Sequence, residues 1–147
     1  MTSLYPKGYL TKTELLNLTL LDVSNKSISD LTGIAKLTSL KTLLCNSNNL
    51  TSLPTLPSGL TYLSCNNNSL TSLPTLPSGM YFLDCGTNRL TSLPTLPSGL
   101  QTLYVNANRF SALTIYQISK LNSFNVQNNT LLTTLEIKYT EQHLFLL

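Results

Sequence analysis

Three thiols at a fixed interval are the first chemistry this sequence offers. Cys45, Cys65 and Cys85 lie 20 residues apart, and thiols held together could bind a soft metal or form a redox pair. Three is an odd count, which argues against a closed disulfide framework. Equal spacing inside a repeating pattern points instead to one structural column, in which a buried cysteine acts as a small hydrophobe. His143 is the single imidazole, and with Glu141 two residues away completes no Ser/His/Asp, Cys/His or metal-ligand spacing. The six acids, Glu14, Asp22, Asp30, Asp84, Glu136 and Glu141, fall in different segments, so no carboxylate pair is set up for acid–base work. No phosphate-binding glycine loop occurs either. No catalytic residue, metal site or cofactor is expected, and the chain is read as a non-enzyme.

Composition narrows the partners. The 147 residues are 41% apolar, enough for a core, yet only 10% are charged, well under the roughly 25% of ordinary domains. A net charge of +3, thinly scattered, makes no nucleic-acid footprint. No apolar run is long enough to insert in a membrane. Composition by itself selects no further partner class, and a monomer is the expected state.

Internal repetition explains where the thiols come from. LTSLPTLPSGL occurs at Leu50–Leu60 and Leu90–Leu100, and Leu70–Met80 differs only in its last residue. A wider pattern, apolar-x-x-apolar-x-apolar-x-x-Asn-x-apolar, surrounds these copies. It reads Leu40, Leu43, Cys45, Asn48, Leu50, and continues from Leu60, Met80, Leu100 and Leu121. Upstream, Leu18, Leu21, Val23 and Ile28 fit the frame with Lys26 at the Asn position, and that copy spans 22 residues. Its connector, Ile28 to Leu37, has helical apolar spacing, whereas the later connectors carry Leu-Pro-x-Leu-Pro.

This pattern resembles the leucine-rich repeat, over roughly Leu18 to Leu131. The 20-residue Leu-Pro-x-Leu-Pro form is similar to that of bacterial type III effectors, including secreted ubiquitin ligases and Yop effectors, and the 22-residue copy to the internalin form. The resemblance implies an α/β-type solenoid with a parallel β-sheet on its concave face and a mostly polyproline-II or irregular convex side. It also implies a protein-binding module, or the substrate-recognition part of a larger effector whose catalytic domain is absent here.

The residues themselves give the same architecture in detail. Each strand centres on the Leu-x-Cys/Val step, with alternate residues pointing in and out. Asn48, Asn68, Asn88, Asn108 and Asn129 form a structural ladder that satisfies main-chain groups of its own and the adjacent turn. The prolines fix the convex side, and Gly59, Gly79 and Gly99 bend the chain into the next strand. Thr51, Thr71, Thr91, Thr55, Thr75 and Thr95 form convex columns, the basis of an alternative reading as an ice- or polymer-binding array.

Register then names the concave face. Outward positions before the central Leu are Leu20, Thr42, Tyr62, Phe82, Thr102 and Ser123; those after it are Asp22, Leu44, Ser64, Asp84, Tyr104 and Asn125. Leu44, Tyr62, Phe82, Asp84 and Tyr104, with Asn66 and Asn106 one step further along, are the candidate ligand-binding residues. Aromatic and amide side chains on a weakly charged surface are the composition of binding faces, although cross-strand aromatic pairs also stabilise a sheet. Arg89 and Arg109 follow their ladder residues on the rim, where they could meet a carboxylate or phosphate.

The ends complete the organisation. Residues 1–17 are read as an N-terminal cap with Thr11 or Thr13 opening a short helix over the first coil, 18–142 as repeats, and 143–147 as a partial repeat or C-terminal cap. Leu113 and Ile115 resemble Leu135 and Ile137 at a spacing of 22. The opening residues lack a secretory signal, and unpaired cysteines favour a reducing compartment. The expectation is a cytoplasm, its own or a host's, or a surface location if targeting parts lie outside this piece.

Overall fold

The computed structural model describes residues 11–116 and 119–138. Its framework is a six-stranded, wholly parallel sheet in chain order: β1 (Leu20–Asp22), β2 (Thr42–Leu44), β3 (Tyr62–Ser64), β4 (Phe82–Asp84), β5 (Thr102–Tyr104) and β7 (Ser123–Asn125). The register aligns Leu21, Leu43, Leu63, Leu83, Leu103 and Phe124 across it. Each strand is only three residues long, so cross-strand pairing and inward packing hold it in place.

The inward columns make the core. Leu43, Leu63, Leu83, Leu103, Cys45, Cys65, Cys85 and Val105 are completely buried, as are Leu50, Leu70, Leu90 and Phe110. Burying a leucine contributes about 1.5–3 kcal/mol, and every coil supplies several. The end coils are thinner: Leu21, Val23, Phe124 and Val126 are only partly buried, each with a described strand of this sheet on one side only.

The ladder works through both coils that it touches. Asn88 Nδ2 donates to the carbonyls of Cys65 and Cys85 at 3.1 Å each, and its Oδ1 accepts from Leu70 N–H at 2.9 Å. Asn48, Asn68 and Asn108 repeat this set, and Asn129 Nδ2 reaches Val105 and Val126. Lys26, at the ladder position of the first coil, uses its backbone N–H to donate to Asn48 Oδ1 instead.

Turning into the ladder carries the conformational strain. Ser47, Asn67, Thr87, Ala107 and Asn128 each have φ between 51° and 59°, immediately before a ladder asparagine. Thr87 and Ala107 adopt this left-handed conformation without glycine's freedom. Gly59, Gly79 and Gly99 stand at the turns that precede the strands, as expected, but none has positive φ, and Gly79 and Gly99 have room for a Cβ. The turn with a left-handed requirement therefore lies on the other side of the strand from these glycines.

The back wall takes three forms. The first connector holds one 3₁₀ turn, Ile34–Lys36. The proline-bearing connectors hold neither helix nor strand. After the last of them, β6 (Ala112–Tyr116) pairs in parallel with β8 (Thr134–Lys138), matching Leu113 to Leu135 and Ile115 to Ile137. The resemblance between those residues is thus the register of a second, two-stranded sheet.

At the N-terminal end, α1 (Lys12–Leu16) is capped by Thr11. Thr11 Oγ1 accepts from Glu14 N–H at 3.2 Å, and the Glu14 carboxylate accepts from Thr11 N–H at 2.7 Å. The helix buries none of its residues, and Leu15 and Leu16 stay about 40% exposed. The sequence predicts a helix that covers the first coil; about a turn and a half is too short to lay an apolar stripe across it. The strand expected at His143–Leu147 lies outside the described residues.

Candidate functional site

Strand alternation sends one set of side chains inward and leaves the other on the concave face. The outward register is the one the repeat spacing predicts, in both rows. It brings together Tyr62, Phe82, Asp84 and Tyr104 on β3, β4 and β5, all half-buried.

The rings form a fixed group. Tyr62 and Phe82 stack with centroids 3.9 Å apart and planes within 2°. Tyr104 meets Phe82 edge to face at 6.0 Å, and Tyr81, just before β4, meets Tyr62 edge to face at 6.2 Å. Such pairs contribute about 0.5–1.5 kcal/mol beyond area burial. Tyr104 Oη also lies 3.0 Å from Ser123 Oγ on β7. Tyr81 was missed in the sequence because it precedes the strand; its exposure follows only from the stacked coils.

Asp84 sits in the row between Ser64 and Tyr104. Its Oδ1 accepts from Gly86 N–H at 3.0 Å, and burial pushes its carboxyl above the usual value. Burial, reinforced by the Asp84 charge, also raises the Tyr62 hydroxyl. Leu44 occupies the same row on β2, half-buried. Asn66 and Asn106 are both half-buried but not adjacent: Gly86 lies between them, and a Cβ there would come within 2.6 Å of Asn106 Oδ1. Asn106 therefore leans over the space that Gly86 leaves. Arg89 and Arg109 are exposed on the rim, their backbone N–H groups donating to Leu70 and Leu90 carbonyls.

The cysteine column is buried and unpaired. Desolvation pushes the Cys45 thiol up to about 12 and raises the Cys65 and Cys85 thiols well above their ordinary value too. So little thiolate leaves the column inert, and an inert thiol carries no information about redox compartment. Among the described residues, no group of three or more His, Cys, Asp or Glu side chains could hold a metal ion. No described helix is long and apolar enough to cross a membrane.

On the convex side, a cavity of about 350 Å³ opens where the last proline-bearing connector meets β6, lined by Leu93, Pro94, Leu96, Leu113 and Tyr116 among others. The six convex threonines, Thr51, Thr71, Thr91, Thr55, Thr75 and Thr95, are all exposed.

No family model matches the chain. A stretch of 44 residues is 50% identical to part of internalin J from Listeria monocytogenes serotype 4b (strain F2365), covering 30% of this chain and 5% of that protein. The functional domain of InlJ from Listeria monocytogenes, described as including a cysteine ladder, superposes with a TM-score of 0.74 at 36% identity, covering 87% of this chain and 32% of that one. YopM from Yersinia enterocolitica WA-314 gives 0.67 at 27% identity, covering 76% and 26%. The chain thus spans about a third or less of each of these proteins. A parallel sheet with one strand per coil and an asparagine ladder give the chain a leucine-rich-repeat solenoid fold, similar to the folds of these bacterial proteins.

Proposed function

We propose that the chain is a non-catalytic module that holds a protein or peptide against its concave sheet, around Tyr62, Phe82 and Tyr104. The observation that carries this reading is a stacked, half-buried aromatic group in mid-sheet, on the face opposite the core. The inward columns already close that core, so the rings are surplus to it and offer rigid contact area at low entropic cost. In a longer protein the same face serves as the recognition part, delivering a partner to whatever other domains do.

The test is a peptide-display selection on the intact chain, repeated with Tyr62, Phe82 and Tyr104 all replaced by Ala. The variant is expected to keep its circular dichroism spectrum and to lose the selected peptides. Binding that survives the triple substitution removes the assignment.

A further inference from the structure

We propose that the concave face takes a cationic side chain, an arginine or lysine on its partner segment, at Asp84 beside the rings of Tyr62, Phe82 and Tyr104. This rests on the binding role proposed above and names the chemistry of its ligand.

Charge complementarity is the first support. The chain carries +3 overall, yet the outward positions of the six strands hold two carboxylates, Asp22 and Asp84, and no Lys or Arg. Among the described residues the basic side chains lie elsewhere, and the one whose charge reaches a carboxylate of this face, Lys26, acts on Asp22 and not on Asp84. Lys36 is on the 3₁₀ turn, and Lys138 pairs with Glu136 on β8 at 2.9 Å. The Lys41 head group lies against the turn at Gly59, and Arg89 and Arg109 stand on the rim. The binding face is thus acidic on a basic protein.

The surroundings of Asp84 supply the second support. It is half-buried, and among the described residues its one hydrogen-bond donor is the Gly86 N–H and no cation bridges it. A carboxylate taken partly out of water with a single donor has acceptor capacity left over. Its titratable neighbours are Tyr62 from β3, Tyr104 from β5 and the buried thiols of Cys65 and Cys85, none of which is cationic. Desolvation correspondingly holds its carboxyl above the ordinary value.

The rings are the third. A guanidinium or ammonium gains from an aromatic face as well as from a carboxylate, and the two together select a cation over a neutral donor of the same shape. Phe82 is locked between the parallel ring of Tyr62 and the perpendicular ring of Tyr104. Little ordering is left for the ligand to impose. An anionic or purely apolar partner would leave Asp84 desolvated and unpaired, which disfavours it.

An NMR titration of the intact chain with acetyl-Gly-Arg-Gly-amide and its citrulline counterpart tests this. The arginine peptide is expected to shift the signals of Tyr62, Phe82, Asp84 and Tyr104 and to bind about tenfold more tightly than the neutral isostere. Asp84→Asn should abolish that preference without lowering the melting temperature, and lowering the pH through the Asp84 titration should release the peptide. Equal binding of the two peptides, shifts confined to Asp22 or Asp30, or an Asp84→Asn variant that still prefers arginine would overturn the proposal. If Asp84→Asn leaves the display-selected peptides bound while the triple ring variant loses them, the cation reading falls and the concave-face reading stands. If neither variant loses them, both fall.

Discussion

Each ladder asparagine uses its whole amide on main chain, so its loss strands groups that water cannot reach. Asn88→Ala removes the donor to the Cys65 and Cys85 carbonyls and the acceptor of Leu70 N–H. It is expected to cost about 2–4 kcal/mol, read as a lower urea midpoint. Asn49→Ala, one exposed residue beyond the ladder, should stay within about 0.5 kcal/mol. Asp84 acts in the opposite sense. Burial raises its carboxyl above the ordinary 3.8, so between that value and the raised one the folded chain holds a proton that the unfolded chain has lost. Stability from this group falls as pH rises through that window and stays lower above it. Asp84→Asn keeps an acceptor for Gly86 N–H, and should melt higher than the parent at pH 7 with the difference closing at about pH 3. Both roles start from residue type, but only the ladder was readable in the sequence. A repeating Asn before a repeating apolar position has one structural explanation, whereas the depth of a single Asp depends on the rings stacked around it.

Among the elements, β6 and β8 show how much a strand owes to its neighbours. Leu113 and Leu135 are paired in register, yet Leu113 is 4% exposed and Leu135 is 43% exposed. Leu113→Ala is expected to cost about 2–4 kcal/mol in a urea titration, and Leu135→Ala under about 1 kcal/mol, because only the first leaves a cavity. Sequence reading found the likeness of the two segments without finding the sheet. Their alternation is short, and whether it becomes a strand depends on a partner 22 residues away that lacks proline. The left-handed turn before each ladder residue was likewise hidden. Ser, Asn, Thr and Ala all occupy it, so residue type gives no signal; stacking forces one geometry on every coil.

For the molecule as a whole, stability is close to a sum over coils and their interfaces. Deleting residues 61–80 joins Leu60 to Tyr81 and keeps the 20-residue frame. The shortened protein is expected to remain folded by circular dichroism, with a lower melting temperature because one coil and its packing are gone. Deleting residues 61–70 breaks the frame and should abolish cooperative melting. The shortened solenoid also loses Tyr62, so it should bind the display-selected peptides weakly even though it folds.

By itself the sequence determined the period, the strand register, the ladder and which residues share the concave face, because a repeat of fixed length that must stack on itself allows one alignment. Tertiary structure alone decided the stacking of Tyr62 on Phe82, the partial burial of Asp84, the left-handed turns and the second sheet. Those depend on what lies in the neighbouring coil, some 20 residues away, and on how closely the two surfaces meet.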